Sequence, residues 1–186
     1  MTVTPDLDRR FRDAAAAEGL LDVGFDVVDS PIGPLLVAAT DRGLARIFFD
    51  AESELHLERL AQAYGPRVLR SASTVDRAHR QLDEYFAGGR TAFELDVDLR
   101  GAAPFAQQVL DELARVPYGT TTTYGALAAR AGAPKAARAV GTVMNRNPLP
   151  IVLPCHRVIG ASGALTGYGG GLDRKVMLLR LEGVLA

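Results

Sequence analysis

The chain of 186 residues has a single cysteine, Cys155, and only three histidines, His56, His79 and His156. One cysteine excludes an internal disulfide, and the histidines supply no Cys/His pattern of metal-ligand spacing, so no structural zinc is expected. No apolar stretch approaches the roughly 20 residues of a membrane span, and the opening MTVTPDLDRRFRDAAAAEG lacks the hydrophobic core of a signal peptide. These absences predict a cytoplasmic protein with no membrane partner. A further absence is local. No Asp or Glu occurs between residues 113 and 172, where Arg115, Arg130, Lys135, Arg138, Arg146 and Arg157 lie. The formal net charge of −1 hides this asymmetry, because the rest of the chain carries 15 basic and 22 acidic residues. An acid-free basic segment on an otherwise acidic chain is what binding a polyanion on one face requires; a surface that merely lacks acids is the other reading.

What is present fits a globular protein, with 48% hydrophobic and 23% charged residues in a length that holds one large domain or two small ones. The pattern changes near residue 100, which predicts two domains, 1–100 and 101–186. In the first, a short amphipathic helix over residues 6–17 precedes GFDVVDSPIGPLLVAATDRGLARIFFD, which reads as three strands broken at Ser30-Pro31-Ile32-Gly33 and Asp41-Arg42-Gly43. Helices are predicted over 52–64 and 75–86, and AFELDVDL alternates like a strand. His56 and His79 sit among charged neighbours on these helices and are expected to be solvated. Nothing in this half gathers catalytic residue types.

The second half reads as consecutive helices. PFAQQVLDELARV carries Phe105, Val109, Leu110 and Leu113 on one stripe behind Pro104, TTTYGALAARAG opens with capping hydroxyls and stops at Gly132, and PKAARAVGTVMNRN follows. Two short helices joined by a tight Gly-containing turn are a helix-turn-helix signature, placed inside the acid-free segment. Ala136, Ala137, Ala139 and Gly141 are small, which suits either close approach to a partner or tight packing on the core. Pro148 and Pro150 then end the helix, and IVLPCHRVIG reads as a buried extended segment in which Cys155 and His156 point to opposite sides. Coupling of thiol and imidazole there needs a bend or a bridging water, with Glu182 as the nearest acid able to orient the ring. GASGALTGYGGG, six glycines in twelve residues around Tyr168, lacks the Lys-Ser/Thr ending of a nucleotide loop and reads as a pocket wall or a plain connector.

The run RAVGTVMNRNPLPIVLPCHRVIGASGALTGYGGGLDRKVMLLRLEG resembles the active-site region of the O6-alkylguanine-DNA alkyltransferases, and the likeness extends upstream through VPYGTTTTYGALAARAG. DSPIGPLLVAATDRGLARI is more loosely similar to the family's first domain. The resemblance implies an α/β (α+β) fold, with a ribonuclease H-like N-terminal domain followed by a mostly helical C-terminal domain bearing the helix-turn-helix and an active-site strand. It implies DNA repair by irreversible, stoichiometric transfer of a methyl or other alkyl group from O6-alkylguanine to Cys155, with O4-alkylthymine left open as a second substrate. By the same resemblance, His156 is expected to act on the thiol through water, Glu182 to hold its imidazole, Tyr124 to donate to the leaving base, and Asn147 to brace the turn below the active-site strand. Arg138 is expected to fill the gap left by the flipped nucleotide, with Lys135, Ala136, Ala137 and Gly141 beside it on the DNA-binding face. Tyr168, Gly169, Val158 and Pro150 are expected to line the alkyl pocket. No cofactor and no metal are implied. The partner is double-stranded DNA contacted through the minor groove by a monomer, with clustering on DNA left open.

Some features depart from the pattern. About twenty residues precede the resemblance, and Gly169 stands where some relatives have a hydroxyl residue. No four-cysteine zinc module is present. A damage-binding protein that does not repair is the main alternative, but such relatives replace the reactive cysteine, and Cys155 is retained. A thiol hydrolase is the second, because a Cys/His pair also serves acyl transfer.

Overall fold

A computed structural model describes residues 4–186, the side chains of Pro5 and Arg9 excepted. The chain divides into two compact units, Met1–Ala87 with Glu94–Asp98 and Gly88–Phe93 with Leu99–Ala186. The stretch from 88 to 98 is thus shared between them.

In the first unit, β1 (Val23–Val28), β2 (Leu35–Thr40) and β3 (Gly43–Phe48) form an antiparallel meander, and β4 (Val68–Arg70) joins parallel to β1, giving the order β3-β2-β1-β4. The three predicted strands are all present; β4 is too short to announce itself by periodicity. Helix α1 (Pro5–Ala17) starts on a proline and is capped by Thr4, whose hydroxyl accepts from Leu7 N. Helices α2 (Leu55–Tyr64) and α3 (Ala72–Phe86) cover the sheet. The unbroken apolar run LLVAAT of β2 reflects burial on both faces. Leu36 and Ala38 pack with Val23 and with Leu60 of α2. Ala39 pairs with Gly24 on the other face, where Thr74 of α3 comes so close that a Cβ at Gly24 would lie 2.4 Å from its hydroxyl.

Two expectations fail in this unit. AFELDVDL forms no strand, only an isolated bridge between Leu44 and Val97. Its alternation holds from Phe93 to Asp96 and reverses only at the end: Val97 is exposed, while Asp98 is buried because its carboxylate accepts from Thr40 Oγ1 at 2.6 Å. His56 is not solvated. Its ring stacks on Phe48 at 4.0 Å between centroids and is 8% exposed, while Leu55 and Leu57 beside it face outward. The first turn of α2 is rotated so that the imidazole, as a flat ring, covers Phe48. His79 is exposed beside Asp83, as expected.

The second unit contains α4 (Pro104–Ala114), α5 (Tyr124–Arg130), α6 (Ala137–Asn145) and α7 (Leu172–Leu181). Its core is built by Val109 and Leu113 of α4, Leu127 of α5, Val140 of α6 and Leu178 and Leu179 of α7. The Thr123 hydroxyl caps α5 by accepting from Ala126 N, and Gly132, at φ +75°, supplies the left-handed residue that ends it. Helices α5 and α6 pack as a helix-turn-helix pair. Because α6 turns Val140 and Met144 to the core, Ala139 is left exposed and Ala136, Ala137 and Gly141 half-buried. Among the small residues, close approach from outside is therefore possible. A two-residue parallel ladder, β5 (Thr122–Thr123) with β6 (Val158–Ile159), ties the start of α5 to the segment that follows Cys155. That segment corrects the reading of IVLPCHRVIG as extended: Cys155–Arg157 forms a 3-10 turn, and only Val158–Ile159 is strand.

Candidate active site

Three prolines and one asparagine shape the approach to the thiol. Pro148 and Pro150 cannot continue α6, and Ile151 adopts φ 76°, a left-handed conformation that costs a β-branched residue about 1–3 kcal/mol. The turn holds it from both ends. Asn147 Nδ2 donates to Leu153 O at 2.8 Å, Asn147 Oδ1 accepts from Leu149 N at 3.1 Å, and Leu153 N donates to Leu149 O at 2.7 Å. Pro154, at φ −81° and ψ 65°, then makes an inverse γ-turn in which Cys155 N donates to Leu153 O. This sharp reversal, set by a residue whose φ is fixed, starts the 3-10 turn on Cys155. Replacing Asn147 with Ala removes both side-chain bonds and should destabilise the protein by about 1–3 kcal/mol. Any reaction at Cys155 should slow with it. Unchanged melting and rate would remove Asn147 from the bracing role.

Cys155 is 6% exposed. Burial pushes its thiol up to about 11, against opposing help for the thiolate from the Asn147 side chain, its own backbone amide, the Lys175 charge and the Tyr168 hydroxyl. The resting group is therefore a neutral thiol that must lose its proton during reaction. His156 is fully buried, and its Nε2 lies 2.8 Å from Glu182 Oε1. Burial lowers the imidazole pKa, with Glu182 acting against that shift. A neutral ring facing a carboxylate must donate from Nε2, which leaves the lone pair on Nδ1. Nδ1 is buried with no hydrogen-bond partner among the described residues, so imidazole and thiol are not directly bonded.

Glu182 is shared. Arg157 Nε donates to its Oε2 at 2.9 Å, Arg157 Nη2 to its Oε1 at 2.9 Å, and Arg157 Nη1 to Val116 O at 2.6 Å. This two-point contact neutralises the carboxylate and explains how a buried histidine beside it stays uncharged. Lys175 is also fully buried; its Nζ donates to Val158 O at 2.7 Å and Thr166 O at 3.0 Å. Burial lowers its pKa, and the nearby Cys155 opposes that shift. Lys175 thus ties the glycine-rich loop to β6.

The ladder between β5 and β6 brings Tyr124, the first residue of α5, alongside. Tyr124, Ala137, Arg138, Gly141, Asn145, Thr166 and Gly167 line an open cleft of about 340 Å³. Tyr168 is half-buried, Pro150 and Val158 are buried, and Gly169 is exposed with room for a Cβ 3.8 Å from Asn145 O. A cleft of similar size in the first unit is walled by the ion pairs Asp8–Arg12 and Asp26–Arg70 and is lined by no cysteine or histidine. The basic face is smaller than the sequence suggests. Arg157 is buried on Glu182, and Arg115 and Arg130 both pair with Glu112, an acid just outside the acid-free stretch. Lys135, Arg138 and Arg146 remain exposed around α6. Among the described residues, no three His, Cys, Asp or Glu side chains gather as a metal site would need.

Two family models match, one to each half of the chain: the ribonuclease-like domain of 6-O-methylguanine DNA methyltransferase over residues 25–99 and its DNA binding domain over residues 104–184. A methylated-DNA–protein-cysteine methyltransferase of Mycobacterium leprae is 48% identical over 83% of this chain and 89% of its own. The chain belongs to the 6-O-methylguanine DNA methyltransferase family. A constitutive methyltransferase of Bacillus subtilis with the same function in its name is 39% identical over 85% of this chain and 94% of its own. The crystal structure of Mycobacterium tuberculosis O6-methylguanine methyltransferase superposes with a TM-score of 0.76 at 43% identity, covering 88% of this chain and 94% of that one. Mycobacterium tuberculosis OGT in complex with DNA gives 0.74 at 44% identity, over 86% of this chain and 92% of that one. The family's activity is repair of DNA by alkyl transfer to a cysteine of the protein itself, and DNA is the partner. No helix among the described residues is long and apolar enough to cross a membrane.

Sequence reasoning misses Arg157, Lys175, Asn145 and Thr166 as parts of this methyltransferase site. Lys175 could have been found. It lies on the α7 stripe of Leu178, Leu179 and Glu182, where a lysine on a buried face needs partners. Arg157 gives no such signal, since only the fold brings it back to Glu182.

Proposed function

We propose that Cys155 takes the alkyl group of O6-alkylguanine from double-stranded DNA in one in-line displacement. The observation that carries this reading is the buried pair between Glu182, at the end of α7, and His156, in the turn that bears the chain's one thiol. The Glu182 carboxylate keeps the ring proton on Nε2, so Nδ1 is the basic atom. With no direct bond from thiol to ring, the thiol proton reaches Nδ1 through a bridging water. Sγ attacks the alkyl carbon, the carbon–oxygen bond breaks, and its electron pair leaves with the guanine. Tyr124 supplies a proton to that base. That step leaves His156 protonated and Tyr124 ionised; return of one proton from imidazolium to phenolate through solvent restores both, and the net result moves the alkyl group to sulfur and one proton from the thiol to the guanine. A thioether is a poor leaving group, so each molecule reacts once. Tyr168, Gly169, Val158 and Pro150 shape the pocket around the transferred group.

The base must leave the duplex to reach a buried thiol. Helix α6 enters the minor groove, where the small Ala136, Ala137 and Gly141 permit contact and Lys135 meets phosphate. Arg138, exposed at the rim of the cleft, fills the vacated stack. Replacing Arg138 with Ala should slow repair of methylated duplex on the order of tenfold or more, the scale of a few kcal/mol of unstacking, and leave reaction with the free base nearly unchanged. Arg138→Lys keeps charge but loses the stacking plane, so repair at saturating protein should remain slow. Equal slowing on duplex and free base, or full rescue by Lys, would make Arg138 an ordinary phosphate contact.

A further inference from the structure

Tyr124 is useful as a donor only if its phenol proton points at the base, and a phenol rotates freely unless something else binds its oxygen. In this structure something does. Thr166 Oγ1 donates to Tyr124 Oη at 3.0 Å, and both residues lie on the wall of the same cleft as Arg138. A hydroxyl that accepts one hydrogen bond must send its own proton elsewhere, and it becomes a better donor for doing so.

Thr166 is itself held at two further points. Its carbonyl accepts from the buried Lys175 ammonium at 3.0 Å. Its methyl Cγ2 lies over Gly160, 3.3 Å from where a Cβ would stand, so a larger residue at 160 would crowd it. The same lysine bonds Val158 O at 2.7 Å, and β6 pairs with β5 directly before Tyr124. An exposed glycine-rich loop would otherwise leave position 166 loose; these contacts set the hydroxyl in place relative to the phenol.

We propose that Thr166 is a positioning residue that directs the Tyr124 phenol proton toward the base bound in the cleft. The inference rests on Tyr124 as the proton donor of the transfer, as read above. Thr166 touches no reacting atom and acts only through Tyr124.

The test is a double-mutant cycle of Thr166→Val and Tyr124→Phe, with Thr166→Ser as the conservative variant. It is read as the single-turnover transfer rate on saturating methylated duplex, alongside duplex affinity. Val keeps the methyl over Gly160 and removes the donor. Thr166→Val should slow transfer roughly three- to tenfold, the scale of one hydrogen bond, with affinity unchanged. Thr166→Ser should recover most of the rate. In the Tyr124→Phe background, Thr166→Val should cost nothing further, because its target is gone. If Tyr124→Phe is slow but Thr166→Val slows it again by the same factor, Thr166 acts through the loop and the positioning proposal falls alone. Failure of Ser to restore the rate overturns it likewise. If Tyr124→Phe transfers at the full rate, the donor reading and this proposal fall together.

Discussion

Mixed with an excess of methylated duplex DNA, the protein should transfer one alkyl group per molecule and then stop, with the added group on Cys155. Replacing Cys155 with Ser should abolish transfer and leave duplex binding intact, because shape and charge at the site barely change. The intact mass of the protein after the reaction reports the first result, and a time course reports the stoichiometry. Sustained product formation would favour a thiol hydrolase and overturn the single-turnover reading.

The same substitution has a second consequence that requires no substrate. The folded thiol titrates at about 11, above its ordinary value, because burial penalises the thiolate. A folded pKa raised above the unfolded one means that the contribution is complete below the unfolded value, near 9. It is lost as pH rises through the folded value, since the unfolded chain releases its proton first. The shift corresponds to about 2–3 kcal/mol of stability lost across that window. Urea denaturation of the native protein should therefore weaken between about pH 9 and 11, and Cys155→Ser should flatten that decline. A parallel decline in both proteins would mean that the thiol is not the titrating group.

How far the sequence could be read depended on whether local chemistry or distant contacts decide a residue's place. Helices α4, α5 and α6 carry their own punctuation in Pro104, Thr123 and Gly132, and their limits fall close to those expected. The three strands of the first unit are legible for the same reason, with turn residues between them. AFELDVDL has the right period but the wrong outcome, because Asp98 is drawn inward by Thr40, a residue from β2. The turn at Cys155 is illegible by periodicity, since it is made by a γ-turn at Pro154 and a left-handed Ile151. The charge count of the acid-free stretch errs for a related reason: Glu112 and Glu182, outside it in sequence, reach Arg115, Arg130 and Arg157 in space. A segment's formal charge describes its surface only when its partners lie within the segment.

Glu182 should then be the most consequential position after Cys155, because one carboxylate serves two buried groups. In Glu182→Gln, the amide can still accept from His156 Nε2 but no longer carries the charge that raises the imidazole pKa. His156 becomes a weaker base, the assisted loss of the thiol proton slows, and transfer comes to depend on direct ionisation of Cys155. The rise of rate with pH should be displaced upward, toward the thiol's own value of about 11. Arg157 is affected more severely. Its guanidinium, 5% exposed, keeps Val116 O and loses its counter-charge, and an uncompensated buried charge costs about 3–5 kcal/mol. The single variant therefore mixes a chemical defect with a structural one, and adding Arg157→Met separates them. Replacing both members of a buried pair with uncharged side chains of similar size is often neutral, so the double variant should regain much of the lost stability. Its transfer rate should stay low and its pH profile displaced, because nothing has restored the carboxylate behind His156. Denaturation midpoints and single-turnover rates measured across pH on the two variants decide the matter. Recovery of the rate along with stability would show that Glu182 serves only to hold Arg157 and the end of α7, and that the thiol is activated without it.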